Sequence, residues 1–327
     1  MTPFIGNQAA IDAFLASLAS GQLHHAWLIA GPEGIGKARF ARAAAARLLA
    51  EAAAPGTLPP GLDVPADNRT VTLIAAGAHP DYREMTRLPK DPDKPDQDIA
   101  RSIPIAQVRA LQPMLATKPA LSDRRVILID AIDDLERPGA SNALLKNLEE
   151  PPTGTIFLLV SHAPGRLLPT IRSRCRLLRF DPLSDVEVAE VLHAELPEAS
   201  KAEITALVRA GQGSPGRALH FAGLDLGGLE KELAAIARDG DPSNTHRVRL
   251  ARTLGLKSAQ PRYEAFLERV PAFIAEHARD LAGPRLKDAL DAYDAAAELA
   301  RVSLAQSLDA STTAFEMGGL VARLAPR

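Results

Sequence analysis

HAWLIAGPEGIGKA, at residues 25–38, is the part of the sequence from which the fold can be argued. Residues 25–30 are almost entirely apolar, as expected of a parallel strand that is buried on both faces. A glycine-rich turn follows, and residues 39–54 form an Ala-rich run that predicts a helix. The backbone amides of such a turn, at the N-terminus of a helix, form an anion-binding site. The stretch therefore predicts a phosphate-binding loop between a buried strand and a helix.

The glycine-rich turn matches the P-loop pattern G-x-x-x-x-G-K-[ST] at every position except the last. Gly31, Gly34 and Gly36 allow the backbone to approach phosphates closely, and Lys37 is predicted to reach the terminal phosphates. At the last position a Ser or Thr hydroxyl would bind Mg²⁺, but the residue here is Ala38, whose methyl group cannot coordinate a metal. The nucleotide site is therefore predicted to be degenerate, and residual binding of ATP or ADP is left open.

Short apolar runs alternate with helical patterns in the first half of the chain, which predicts βαβ units and a parallel sheet. Strands are predicted at residues 25–30, 71–75, 125–130, 155–160 and 176–180, and a helix at residues 107–115. Residues 79–103 are rich in proline and charge and have no periodicity, which predicts an exposed or disordered loop. Whether residues 86–103 are ordered is left open.

After residue 180 the pattern is helical. Ser184 with Glu187, and Ser200 with a glutamate three residues later, have the spacing of a capping box, and Ser214 followed by proline predicts another helix start. Beyond residue 227 a set of apolar residues lies broadly along one helix face, which fits a helical bundle: Leu286, Leu290, Tyr293, Ala297, Leu304 and Leu308. We predict three parts, at residues 1–180, 181–226 and 227–327.

The composition excludes several classes of protein. The chain has 327 residues and a net charge of -2, so a basic footprint for nucleic acid over the whole chain is absent. Cys175 is the only cysteine, which excludes a disulfide framework and a cysteine-rich zinc site within one chain. The sequence shows no signal peptide and no run long and apolar enough to span a membrane. We therefore expect a cytoplasmic protein.

Three further segments carry a resemblance to a known family. Residues 141–152, SNALLKNLEEPP, residues 170–176, TIRSRCR, and residues 213–219, GSPGRAL, resemble characteristic segments of the AAA+ clamp loader family of bacterial DNA polymerase III. With the P-loop and residues 159–161, which sit where the sensor 1 strand of the family should be, they occur in the order that this family has. The resemblance implies a RecA-like α/β P-loop domain, a small helical lid and an all-α collar through which subunits assemble.

Residues 125–130, RVILID, resemble the Walker B strand of this family, with Asp130 at its carboxyl end. In hydrolysing relatives a glutamate follows and activates the attacking water, but here the residue is Ala131. Asp133 and Asp134 lie too far along the turn to replace it and are predicted to be exposed turn or cap residues. General-base catalysis contributes about 10²–10⁴ in rate. Loss of both the metal and the base positions predicts a chain without ATPase activity.

The departures at Ala38 and Ala131, in a chain that keeps the P-loop and the SRC segment, resemble the delta-prime branch of the family. Many such subunits carry a four-cysteine zinc module after the P-loop helix, but residues 51–78 contain no cysteine, so zinc is not expected. The resemblance also implies that Arg174 is an arginine finger acting in trans, and that Arg217 is the sensor 2 residue of the degenerate site.

The resemblance implies a stator subunit of a heteropentameric clamp loader that places a sliding clamp on primed DNA. Its expected partners are the gamma/tau and delta subunits, the clamp and, through the assembled complex, primed DNA, with no membrane. Whether the chain counts as an enzyme is uncertain, since it would act within the polymerase holoenzyme. The alternative is a catalytically active, gamma/tau-like AAA+ ATPase with displaced catalytic groups. A third reading is a scaffold independent of the polymerase.

Overall fold

The computed structural model describes residues 4–91 and 99–326. The chain divides into two compact units. The first contains the residues up to Val191 together with Gly213–Gly216, and the second contains Leu192–Gln212 and the residues from Arg217 onward. The division into three parts at residues 1–180, 181–226 and 227–327 stays a prediction. None of the described helices is long and apolar enough to cross a membrane.

The first unit is built on a parallel sheet of five strands in the order β2-β3-β4-β1-β5. The strands are β1 Ala26–Ala30, β2 Tyr82–Thr86, β3 Arg125–Asp130, β4 Thr155–Ser161 and β5 Arg176–Arg179. Every residue of β1 and β4 is buried, as the apolar sequences of these strands predict. The predicted fold class, an α/β P-loop domain with a parallel sheet followed by helical regions, is confirmed.

The predicted strand at residues 71–75 is wrong. These residues belong to a helix, Arg69–Ala75, and the side chain of Asn68 caps its N-terminus by accepting a hydrogen bond from the amide of Thr70 at 2.9 Å. A short apolar run rich in β-branched residues does not distinguish a strand from a helix, and here the cap decides. The edge strand β2 instead lies inside the predicted loop at residues 79–103, of which residues 92–98 are outside the described part of the chain.

Helices pack on the sheet and connect its strands. Before residue 196 they are α1 Gln8–Ala19, α2 Lys37–Ala53, α3 Arg69–Ala75, α4 Ile105–Arg109, α5 Gln112–Leu115, α6 Gly139–Glu149, α7 Pro169–Arg172 and α8 Asp185–Glu195. The predicted helix at residues 107–115 is therefore two short helices, with a proline near the start of the second. The capping box of Ser184 and Glu187 is confirmed, since each side chain bonds the backbone amide of the other.

The later helices are α9 Lys201–Gly211, α10 Pro215–His220, α11 Leu226–Asp239, α12 Thr245–Leu254, α13 Gln260–Ala278, α14 Gly283–Gln306 and α15 Ala310–Ala322. The buried face of α14 is narrow, because it consists of alanines and one serine: Ala289, Ala292, Ala296 and Ser303. Most of the larger apolar side chains that were expected inside the bundle lie to one side of this face and are exposed: Leu290, Tyr293, Leu304 and, just after the helix, Leu308.

A buried ion pair fixes the register of the sheet edge. Asp81, just before β2, is 1% exposed and accepts hydrogen bonds from the amides of Ala120 at 2.7 Å and Leu121 at 2.8 Å. The guanidinium of Arg125, at the start of β3, is buried 4.0 Å from the same carboxylate. Because Arg125 begins the strand that ends at Asp130, this pair anchors the start of that strand.

We expect Asp81→Ala to lower the free energy of unfolding, because it removes the acceptor of two backbone amides and the carboxylate that faces a buried guanidinium. Removal of one partner of such a pair costs about 3–5 kcal/mol. Urea unfolding of the isolated chain measures this. Asp63→Ala is the matched control, since Asp63 is exposed, and it should stay within about 0.5 kcal/mol of wild type. Equal stability of the two variants would contradict the structural role of Asp81.

Candidate nucleotide site and arginine finger

The P-loop is held by close backbone contacts that require glycine. A side chain on Gly31 would place its Cβ 2.1 Å from the carbonyl oxygen of Phe180. Gly34 and Gly36 have φ values of 76° and 93°, in the left-handed region that favours glycine. Gly36 is also the residue from which α2 begins. The three predicted glycines therefore form one loop at the carboxyl end of β1 and the N-terminus of α2.

The Lys37 side chain folds back against the P-loop that precedes it. Its side chain is only 2% exposed, and Nζ donates hydrogen bonds to the carbonyl oxygens of Gly31, at 2.7 Å, and Pro32. Burial lowers the pKa of Lys37 to about 8, although the charges of Asp130, Glu33 and Asp133 oppose the shift. The ammonium that would reach a phosphate thus satisfies carbonyl groups of its own loop.

The segment Gly213–Gly216 lies directly against the P-loop within the first unit. The Ser214 hydroxyl donates to the carbonyl of Glu33 at 2.9 Å, and the amide of Gly216 donates to the carbonyl of Gly34 at 2.8 Å. A Cβ on Gly216 would lie 2.8 Å from the Cα of Gly34, so this approach requires glycine. Sequence reasoning placed this segment near the nucleotide site through the resemblance, but it did not foresee these bonds.

Arg217 has contacts that lie within the second unit. It donates to the side chain of Gln212 at 3.2 Å, and its Nε lies 3.9 Å from a carboxylate oxygen of Glu268. Its guanidinium carbon also lies 6.0 Å from the ring centroid of Phe221. The assignment of Arg217 to the nucleotide site stays a prediction.

Asp130 faces an arginine of its own chain. Arg42, on α2, lies 3.4 Å from Asp130 Oδ2 and donates twice to Glu84 on β2, at 2.6 and 2.9 Å. The Tyr82 hydroxyl donates to the other oxygen of Glu84 at 2.8 Å. Burial raises the pKa of Asp130, and the charge of Arg42 opposes that shift. Sequence reasoning missed Arg42 and Glu84, because β2 lies in the stretch that was predicted to be a loop.

Asp133 ties the turn after β3 to the end of β4. Its carboxylate accepts hydrogen bonds from the Ser161 hydroxyl at 3.1 Å and from the amides of His162 and Ala163 at 2.6 and 3.2 Å. Asp133 lies in a turn, as predicted, but the expected exposure is wrong, because these three donors hold it half-buried. A carboxylate so engaged is a poor general base. Asp134 is also only half-exposed and pairs with Arg87 at 3.0 Å.

These residues do not fit the Mg²⁺ that a P-loop site ordinarily holds. Such a site uses a Ser or Thr hydroxyl at the end of the loop and the Walker B carboxylate. Ala38 offers no oxygen, and the Asp130 carboxylate is engaged by Arg42. Within residues 4–91 and 99–326, no group of three or more His, Cys, Asp or Glu side chains is arranged to hold a metal ion.

Arg174 lies at the surface of the first unit, just before β5. Its guanidinium bonds Glu149, the last residue of α6, at 2.8 Å and the carbonyl of Thr170 at 2.8 Å. The Arg174 side chain remains 34% exposed, and that of Glu149 48%. The neighbouring Arg176 has a different environment, since its guanidinium stacks 5.1 Å from the ring centroid of Trp27. Burial raises the pKa of the Cys175 thiol to about 12, consistent with an inert side chain.

Comparison with known proteins places this arrangement in a family. Residues 6–184 match the family model described as "DNA polymerase III, delta subunit". Over 294 residues the chain is 30% identical to the DNA polymerase III subunit delta' of Escherichia coli K12, covering 84% of this chain and 83% of the relative. The chain belongs to the DNA polymerase III delta-prime family. The resemblance to the clamp loaders is thereby confirmed.

Other relatives match different lengths of this chain. The delta' subunit of Pseudomonas aeruginosa is 36% identical over 192 residues, which are 58% of this chain and 53% of the relative. The tau subunit of E. coli is 29% identical over 84% of this chain but 40% of its own length. A gamma-subunit-related protein of Thermotoga maritima has the same fold, with a TM-score of 0.50, 16% identity, and coverage of 94% of this chain and 98% of that one.

Proposed function

We propose that this delta-prime family member is the non-hydrolysing stator of a bacterial DNA polymerase III clamp loader and supplies Arg174 to the ATP site of a neighbouring subunit. Its partners in this proposal are the gamma/tau and delta subunits, the sliding clamp and, through the assembled complex, primed DNA. The observation that carries the proposal is a difference in the place of two partly exposed arginines: Arg42 contacts Asp130 of the chain's own site, while Arg174 lies outside that site, paired with Glu149, with 34% of its side chain exposed.

The chain's own site is poorly suited to hydrolysis. Ala38 and Ala131 remove the metal hydroxyl and the general base, and Lys37 bonds the carbonyls of its own loop. Asp133, the nearest alternative base, accepts three hydrogen bonds from the end of β4. These features all act in the same direction, so hydrolysis is assigned to other subunits of the loader.

Arg174 has the properties that a finger acting in trans needs. A guanidinium stays charged and offers a planar fork of donors that matches phosphate oxygens. Glu149 and the Thr170 carbonyl bond part of this fork and hold the side chain in one orientation, yet a third of it remains accessible. Since the chain's own site lacks the groups that a finger would assist, a role at a neighbour's site explains the arginine.

The exposed apolar side of α14 supports assembly through the collar. Leu290, Tyr293 and Leu304 recur at helical spacing beside the face of the buried alanines, and Leu290 is 50% and Leu304 52% exposed. Burial of a leucine side chain is worth about 1.5–3 kcal/mol. We assign this stripe to contact with a collar helix of a gamma/tau subunit.

The first prediction about function is that the isolated chain has no ATPase activity above background. The reason is the absence of a metal hydroxyl at Ala38 and of a base at Ala131. A steady-state phosphate-release assay measures it, with Lys37→Ala as the control for contaminating activity. Turnover that Lys37→Ala abolishes would favour the gamma/tau-like alternative, which the similarity to the tau subunit makes worth testing.

The second prediction is that Arg174→Ala leaves folding and assembly intact but lowers the clamp- and DNA-stimulated ATPase of the reconstituted loader. Arginine fingers contribute roughly 10³–10⁵ in kcat at the site they serve. The total loss should be partial, because the other sites receive fingers from gamma/tau subunits. Arg174→Lys should restore little, since it keeps the charge but loses the fork.

Arg172→Ala is the matched control for Arg174→Ala, because Arg172 is an exposed arginine two residues earlier. It should leave the stimulated ATPase unchanged. If Arg174→Ala and Arg172→Ala complexes load clamps and hydrolyse ATP at the wild-type rate, the trans-acting role is wrong.

The third prediction concerns the apolar stripe of α14. We expect Leu290→Glu or Leu304→Glu to weaken association with gamma/tau subunits about tenfold, which corresponds to roughly 1.4 kcal/mol, while the isolated chain keeps its thermal stability. Size-exclusion chromatography at several concentrations measures the association. Ala305→Glu, which adds the same charge at an exposed position beside the stripe, should assemble normally. Wild-type assembly of both leucine variants would refute the assignment.

A further inference from the structure

The segment at residues 242–263 is basic, although the chain as a whole has a net charge of -2. It contains no aspartate or glutamate, and its cationic residues are Arg247, Arg249, Arg252, Lys257 and Arg262. The segment consists of α12, the turn that follows it and the first residues of α13, all in the second unit. A local positive charge is therefore concentrated on one helix and its flank.

The cations of this segment divide into two groups. Arg247, Arg249 and Arg262 each face an acidic residue of the same unit, with nitrogen–oxygen distances of 3.4, 2.6 and 2.7 Å. Arg252 and Lys257 are exposed, and neither forms an ion pair with any residue in the ranges 4–91 and 99–326. The positive charge that the unit leaves uncompensated thus lies at the C-terminal end of α12.

The outer face of α12 combines this charge with exposed apolar side chains. Leu250 and Leu254 are buried and hold the inner face of the helix. Val248, Arg252 and, just after the helix, Leu256 follow one another at intervals of four residues, which places them on one side. Val248 is 39% and Leu256 60% exposed, so both remain accessible to a partner.

The side chains of this outer face, Val248, Arg249, Arg252 and Leu256, suit a peptide better than DNA or a lipid surface. Proteins bind single-stranded nucleic acid by pairing cations with phosphates and stacking bases on aromatic rings, and this face has no aromatic ring. Helices that lie on membranes bury a large apolar face, but here only two of the four side chains are apolar. An acidic amphipathic helix offers both carboxylates for the arginines and apolar side chains for the valine and leucine.

We propose that the outer face of α12 docks an acidic amphipathic segment of a partner protein. Its apolar side chains cover Val248 and Leu256, and its carboxylates pair with Arg252 above all, because Arg249 already has Glu232 as a partner at 2.6 Å. The face lies on a different helix from the apolar stripe of α14, so this docking is an interaction beyond the collar contact assigned to the gamma/tau subunits.

The test is fluorescence anisotropy of a labelled synthetic peptide titrated with the full chain. The peptide has about four helical turns, with leucine at every third or fourth position and glutamate or glutamine between them. A peptide of the same composition, with its leucines scattered around the helix, is the comparison probe. We expect the ordered peptide to bind at least about tenfold more tightly than the scattered one, since only the first aligns its apolar side chains.

Two substitutions should each weaken binding of the ordered peptide about tenfold. Arg252→Glu reverses the uncompensated charge, and Leu256→Ser removes the more exposed apolar contact. Lys201→Glu, on α9 of the same unit, and Val186→Ser, on α8, are matched controls, because each makes the same kind of change at another exposed position. Both controls should bind like wild type. Thermal melts establish that each chain is folded, and Arg252→Gln is the milder substitute if Arg252→Glu unfolds.

Several results would overturn this docking site. The ordered peptide fails to bind, or the folded Arg252 and Leu256 variants bind it as tightly as wild type. Labelled single-stranded DNA or anionic phosphatidylserine vesicles bind at Arg252 when the peptide does not, which would identify a different class of partner.

The same titration is repeated with a loader reconstituted from this chain and its gamma/tau and delta partners. We expect the reconstituted loader to bind the ordered peptide as the isolated chain does. Loss of peptide binding on assembly would show that the outer face of α12 is buried between subunits, which also overturns the docking site. None of these measurements involves hydrolysis, so their failure leaves the trans role of Arg174 untouched.

Discussion

Burial of β1 between β4 and β5 is the constraint on which the rest of the first unit depends. β1 has a parallel neighbour on each side, so the chain must turn sharply where this strand ends. It turns at Gly31, which packs so closely against the carbonyl of Phe180 that only glycine fits. The same strand order brings the carboxyl ends of β3 and β4 beside the loop. Asp130, Asp133 and Ser161 lie together because the sheet aligns their strands, although they are far from the P-loop in sequence.

The charged groups around this loop are largely satisfied from within the chain. Lys37 bonds loop carbonyls, Asp130 faces Arg42, and Asp133 accepts donors from the end of β4. In a hydrolysing P-loop site several of these groups would be occupied by phosphate, metal and water. A site that supplies its own counter-ions gains stability without ligand but loses the uncompensated charges that would drive ligand binding. Arg174 also has partners within the chain, Glu149 and the Thr170 carbonyl, but it lies outside this loop at the surface of the unit.

The sequence alone predicted the parts of the fold that local pattern determines. β1, β3 and β4 were found within a residue or two, since strands buried on both faces are apolar throughout. The edge strand β2 was missed because it carries charged and polar side chains among its apolar ones. The partners of Arg42 and Arg174 were missed for another reason: Glu84 and Glu149 are 42 and 25 residues away in the sequence, and only the folded sheet brings them close. Helical spacing placed the leucines of α14 along one side of the helix. It could not show that a different face, made of alanines and one serine, is the buried one.

The contact between Gly216 and Gly34 has a consequence for how this protein can vary. Two backbones meet there with no room for a Cβ on Gly216, so the loop and the segment at residues 213–216 cannot change independently. A side chain gained at position 216 must be accompanied by a shift of the phosphate loop, even though 182 residues separate the two glycines in the sequence. A substitution at either position is therefore tolerated only if the other backbone segment can move with it, so the two positions are expected to change together.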